Sequence, residues 1–128
     1  MANPDISDEL TQLGEFFMDA AEQIGDFIHQ GVGTLPDDQL AALEQQLDQL
    51  TGYANRLIEE ADQIAFADLA NYLQGIQNAT QKIQQDLKVI ANINKAVAIT
   101  AALLELGVGV LTQSGSSIGA ALQTIGGI

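Results

Sequence analysis

Apolar side chains recur at alternating steps of three and four residues along most of this chain, and that spacing keeps them on one face of an α-helix. One stripe covers about 4–29, a second about 35–64 and a third about 68–106. The first stripe consists of Ile6, Leu10, Leu13, Phe17, Ala20, Ile24 and Phe27. With two Pro and few aromatic residues, the composition also favours helix over strand. We therefore predict an all-α fold, an antiparallel bundle of three long helices plus a short apolar, Gly-rich C-terminal helix.

Local signals mark where the predicted helices begin and end. A Gly-x-Gly sequence ends the first helix, and Thr34 with Asp37 three residues later is typical of a capping box at the start of the second. At 65–68 the apolar stripe changes phase although no Gly or Pro interrupts it. We predict a turn there, with Asp68 capping the third helix. One helix that continues across a heptad stutter is the alternative.

The chain has 128 residues, which is enough for one domain and leaves little room for two. Within a single domain, 1–128, we expect an acidic helical hairpin over about 4–64, a long helix over about 68–106 and an apolar tail over 107–128. A third helix of that length would extend for about 58 Å and overhang its partners. We expect a short fourth helix over 118–125, after a Ser-rich turn, to cover the overhang.

Charge is distributed unevenly along this chain, whose net charge is −13. Residues 1–68 hold 15 of the 17 acidic side chains, and from residue 96 onward Glu105 is the only charged side chain. Such a chain repels phosphates, which argues against a nucleic-acid partner. The absence of Cys excludes disulfides, Cys-ligated zinc, iron–sulfur clusters and thiol catalysis.

Two clusters of polar residues are candidate sites. Asp26 and His29, with Glu22 one turn earlier, share a helix face, but helical di-metal sites use the Glu-x-x-His pattern twice and this chain has one His. We expect His29 to interact with the C-terminal end of the helix dipole instead. Glu59 with Arg56 is predicted to form an exposed i,i+3 ion pair. We predict no catalytic, cofactor-binding or metal-binding residue, and no enzymatic activity.

The strongest functional signal is the segment 96–111, which is apolar on nearly all sides. A helix of that kind must be buried within its own chain, in an oligomer or in a membrane. Its 16 residues, with Glu105 among them, fall short of the ~20 needed to span a bilayer. A Gly115-x-x-x-Gly119 pattern permits close helix approach. The candidate interface or membrane residues are Val97, Leu103, Leu104, Val108, Val110, Leu111, Ile118 and Leu122.

Asn94 interrupts the third apolar stripe between Ile90 and Val97. A buried Asn at such a position can fix the register and the oligomer number of a helical bundle. The alternative is that Asn94 lies at the edge of the bundle and binds water. We keep Asn94 as a candidate register-setting residue.

These observations lead to three functional hypotheses. The first is a non-enzymatic interaction or assembly protein that uses 96–128 for self-association or partner association. The second is a membrane-active protein that inserts the same segment as a hairpin, and in general plan, without a shared motif, the layout resembles the α-helical pore-forming toxins. The third is an acidic inhibitor or decoy of a basic protein. No secretory signal is visible at the N-terminus, so we expect a cytoplasmic location, although a specialised secretion system would need no such signal.

Overall fold

Helices account for nearly all of the residues that the structure, a computed structural model, describes, namely 4–30, 37–64, 67–88 and 93–127. No strand occurs in these four ranges, so the all-α prediction is confirmed. The elements are α1 (Pro4–Gln30), α2 (Asp37–Glu59), α3 (Ala61–Ile64), a 3₁₀ helix (Ala67–Asn71), α4 (Leu73–Leu87), α5 (Ile93–Leu111) and α6 (Gly115–Gly126).

Five helices form a ring around one core. α1 packs against α2, α2 against α5, α5 against α6, α6 against α4, and α4 returns to α1. Each of these helices contributes side chains to the same buried cluster. The largest fully buried side chains are Leu10, Phe17, Ile24, Ile28, Leu43, Leu50, Leu57, Leu69, Ile83, Ile99, Leu103 and Leu106. The acid-rich α1 also makes a smaller direct contact with α5.

The first two predicted helices lie where the apolar stripes place them. In α1 every residue of the stripe from Ile6 to Ile24 is buried, while Phe27 is half-buried and Ile28 is buried next to it. In α2 the buried residues are Leu43, Leu50, Ala54 and Leu57. A turn at Glu60 separates α2 from α3, so the second predicted helix is divided near its end.

The prediction of one long helix over 68–106 is wrong. The segment is divided between the 3₁₀ helix, α4 and α5, and 89–92 lie outside the described residues. Lys95 Nζ lies 4.0 Å from Asp86 Oδ2. In an uninterrupted helix these two residues would be on opposite faces and about 13 Å apart along the axis. α4 and α5 are therefore separate helices, and the apolar α5 packs against both α2 and α6.

The structure also corrects the predicted start of the third helix. Asp68 lies within the 3₁₀ helix, and α4 begins at Leu73 with Tyr72 at the N-cap position and no side-chain cap. Of the turn predicted at 65–68, residues 65–66 lie outside the described residues. The 3₁₀ helix that follows them rules out the alternative of one uninterrupted α-helix.

The tail forms the predicted short C-terminal helix, and it begins earlier than 118. The Ser114 hydroxyl caps α6 by accepting a hydrogen bond from the Ser117 backbone N–H at 3.3 Å. Gly107 lies within α5 although glycine has a low helix propensity. Its lack of a side chain allows close packing at this position. A Cβ at Gly107 would lie 3.0 Å from Phe17 Cε2 and 3.1 Å from Tyr53 Cδ2.

Gly14 brings α1 and α2 into close contact. A Cβ at this position would lie 2.7 Å from Ile58 Cγ1 and 2.8 Å from the backbone oxygen of Ala54. The backbone oxygen cannot move aside as a flexible side chain could. The glycine therefore sets the distance between the two helices of the hairpin.

We predict that Gly14→Ala lowers the free energy of unfolding by about 1–3 kcal/mol, because the added methyl group forces α1 and α2 apart. Gly25→Ala in the same helix is the matched control, since no atom lies within 4 Å of its Cβ position. That control should raise stability by about 0.4–1 kcal/mol through helix propensity. Urea unfolding measures both changes. Equal effects of the two substitutions would contradict the close contact.

Candidate association surface

α5 has an inner face in the core and an outer face that no other element covers completely. The inner face carries the buried residues Ala96, Ile99, Ala102, Leu103, Leu106 and Val110. The outer face carries a second apolar series at steps of three and four residues. We call this series the outer seam, and it consists of Asn94, Val97, Ala101, Leu104, Val108 and Leu111.

Exposure differs along the outer seam. Asn94 and Ala101 are exposed, and Val97, Leu104 and Leu111 are half-buried. Val108 is 41% exposed and is the only large apolar side chain classed as exposed among the described residues. The seam therefore combines apolar side chains with direct access to solvent. Its small member, Ala101, leaves room for another helix to approach.

A shallow groove runs along the outer seam where α5 meets α6. Its walls are Leu104, Glu105, Val108, Ser116, Ser117 and Ala120, and its volume is about 400 Å³. Glu105 is the only charged residue in this lining. The groove widens the apolar surface from one helix to the hairpin of α5 and α6.

Three of the predicted association residues are core residues of this chain. Leu103, Val110 and Ile118 are buried, so they cannot contact a partner while the bundle is closed. Leu122 is half-buried between helices, because its Cδ1 atom lies 2.9 Å from the Cβ position of Gly75 in α4. Sequence periodicity could not separate these residues from the seam, since α5 is apolar on both faces.

The other four predicted association residues belong to the outer seam. Val97, Leu104, Val108 and Leu111 lie on one line along α5, and Asn94 lies at its N-terminal end. Asn94 is exposed, so it is not buried within this chain. Its role in setting register stays a prediction that concerns contacts with another chain.

The glycine pattern in α6 does not bring two helices together as the sequence suggested. A Cβ at Gly115 would lie 2.8 Å from Tyr72 Oη, whereas nothing lies within 4 Å of the Cβ position of Gly119. The close contact between α5 and α6 is made by Gly109 instead. A Cβ there would lie 2.9 Å from the backbone nitrogen of Ile118.

The polar clusters are surface features. Glu22, Asp26 and His29 are exposed on α1, and the described part of the chain holds no group of three or more His, Cys, Asp or Glu side chains that could bind a metal ion. Arg56 Nε donates to Glu60 Oε2 at 3.0 Å. The predicted partner was Glu59, so the ion pair has i,i+4 rather than the predicted i,i+3 spacing; both spacings place the two side chains on one helix face.

α5 is also long and apolar enough to cross a membrane. Among the described residues it is the one helix that meets this criterion, over Asn94–Leu111, and 56% of that window is buried inside the bundle. Its 19 residues extend for about 28 Å, close to the thickness of a bilayer's hydrocarbon core. A buried core helix of a soluble protein meets the same criterion, so the length alone supports either environment.

Comparison with protein-family models, with curated proteins and with solved structures finds no match for this chain.

We predict that Gly109→Ala loosens α6, because the added methyl group meets the backbone of α6 rather than a movable side chain. Amide hydrogen exchange in α6 should become faster, while exchange in α1 and α2 changes little. Gly119→Ala, with open space at its Cβ position, is the control and should slow exchange or leave it unchanged. Unchanged exchange in α6 of the Gly109→Ala variant would show that this contact does not hold the hairpin.

Proposed function

We propose that this protein is a non-enzymatic interaction or assembly protein that associates, with itself or with a partner, through the outer seam of α5 and the adjoining groove. The observation that supports the proposal most directly is the position of Val108 and its seam neighbours. They form a regular apolar line on a helix that is buried on its other side and only partly covered on this one. Contiguous exposed apolar surfaces of this kind are typical of interaction sites.

We expect association through the seam to be weak. Complete burial of a Leu or Val side chain contributes about 1.5–3 kcal/mol, and the half-buried seam residues retain only part of that gain. Association itself costs about 4–15 kcal/mol in lost translational and rotational freedom. Four large seam side chains therefore favour a reversible complex over a permanent one.

We predict that Val108→Glu abolishes self-association, because it places a charge in the middle of the seam without disturbing the core. Gln23→Glu adds the same charge at an exposed position of α1 and should leave association unchanged. Sedimentation of the wild type and both variants over a range of concentrations measures the effect. Leu104→Asp should act like Val108→Glu while α1 and α2 stay folded.

A strict monomer for all the chains, including the wild type, would contradict association with itself. The outer seam would then be left to contact a partner protein or a membrane. Loss of association in both Val108→Glu and the Gln23→Glu control would indicate a general charge effect rather than a specific seam.

The length and apolar character of α5 favour membrane insertion as a second candidate function. In that case α5 and α6 leave the bundle and expose Leu103, Val110 and Ile118 to lipid. Insertion driven by apolar burial needs no anionic lipid, and a chain of charge −13 is repelled by it. Flotation with zwitterionic vesicles, beside a truncation to 1–95, tests this candidate. Flotation of the full chain alone supports insertion, and flotation of neither chain contradicts it.

A further inference from the structure

We propose that the outer seam of α5 docks against the outer seam of a second copy of this chain, with the two α5 helices parallel and Asn94 facing Asn94 of the other copy. This inference rests on the proposed function and specifies its partner. The spacing, charge and polar position of the seam each support it independently.

The spacing of the seam matches that of a two-helix interface. Asn94, Ala101 and Val108 are seven residues apart and take the a positions of a heptad, while Val97, Leu104 and Leu111 take the d positions. Apolar residues at a and d pack between two helices that cross at a small angle. The a residues are exposed, whereas the d residues are half-buried and pack partly against the core of their own chain. A helix from outside the chain would therefore gain most of its contacts at the a positions and at the exposed parts of the d positions.

The charge distribution determines which face two copies can bring together. Two chains of net charge −13 repel each other, and the repulsion is weakest when their uncharged faces meet. The hairpin of α5 and α6 is that face, because Lys95 and Glu105 are its only charged side chains.

Asn94 favours the parallel orientation. In a parallel pair each a residue faces the same residue of the other helix, so the two Asn94 amides can exchange a donor and an acceptor. In an antiparallel pair an a residue faces a d residue, and every d residue of this seam is apolar. The antiparallel pair would leave the Asn94 amide covered without a partner, which is unfavourable.

The size of the face sets the strength of the dimer. α5 and α6 have 19 and 12 residues, which gives faces about 28 Å and about 18 Å long, each about 10 Å wide. Two copies would therefore bury roughly 900 Å² in total, near the lower limit of stable interfaces at about 1,000 Å². We expect a reversible dimer that requires concentrated protein.

The chain contains no Cys, so a single introduced Cys reports on docking without interference. Ala101→Cys lies at a central a position and is exposed, and Asp19→Cys on α1 is the exposed control. Under mild oxidation of concentrated full-length protein, we expect about tenfold more disulfide-linked dimer for Ala101→Cys, because docking holds the two thiols at a high effective concentration. Adding Val108→Glu to the Ala101→Cys chain should remove this excess.

The orientation has its own test in a mixture of Val97→Cys and Val108→Cys chains, both of which keep Asn94. Parallel docking gives linked dimers of each chain with itself, whereas linkage mainly between the two different chains indicates antiparallel docking. The second pattern overturns this inference and leaves self-association intact. Equal linkage of the Ala101→Cys and Asp19→Cys chains, or a monomer that floats with vesicles, overturns the second copy as the occupant.

Salt separates this dimer from a charge-driven complex. Raising the salt concentration from about 50 mM to about 500 mM shortens the Debye length severalfold and screens the repulsion between the two acidic chains. Sedimentation should show a larger dimer fraction at the higher salt concentration. A smaller fraction would indicate attraction between opposite charges and would overturn docking through an uncharged face.

Discussion

A helix that is apolar around its whole circumference must be covered on every side, and α5 is such a helix. α2 and α6 cover its inner face, and glycines make this packing close enough. Gly107 lets Phe17 and Tyr53 approach the α5 backbone, and Gly109 does the same for Ile118. The ring of helices depends on this packing, and the outer seam stays partly exposed because these neighbours all lie on the inner side of α5.

α5 carries one buried polar side chain among the described residues, and that side chain is satisfied within the helix. Thr100 is fully buried, and its hydroxyl donates to the Ala96 backbone oxygen at 2.8 Å. The hydrogen bond lies within the helix, so α5 needs no polar partner from α2 or α6. Its inner packing is therefore apolar, and the outer seam is distinguished from it by exposure rather than by composition.

The sequence was sufficient to predict the elements whose two faces differ. α1 has acidic residues on one side and apolar ones on the other, so its stripe indicated both its bounds and its buried face. α6 was predicted by its position after a Ser-rich turn, although the structure starts it at Gly115 rather than 118. In both cases a local signal and the apolar periodicity agreed.

Two features could not be predicted because periodicity carries no information about them. The stripe keeps its spacing from Leu87 through Ile90 to Asn94, so it gives no sign that α4 ends at Leu87. Within α5 both faces are apolar, so the series Asn94, Val97, Ala101 and Leu104 looked like a core stripe. Only the packing of α2 and α6 determines which series is inside.

Under our proposal, α5 has a core face and a separate association face. Methyl NMR with a soluble paramagnetic probe tests it most directly, by comparing Val97, Leu104 and Val108 with Leu103 and Val110 in dilute and concentrated samples. We predict that in dilute protein the probe broadens the methyl signals of Val97, Leu104 and Val108, and that these signals become protected when the protein is concentrated. The methyl signals of Leu103 and Val110 should be protected at both concentrations. Seam methyl signals that stay broadened at every concentration would contradict the association face, and broadening of Leu103 and Val110 would contradict the core face.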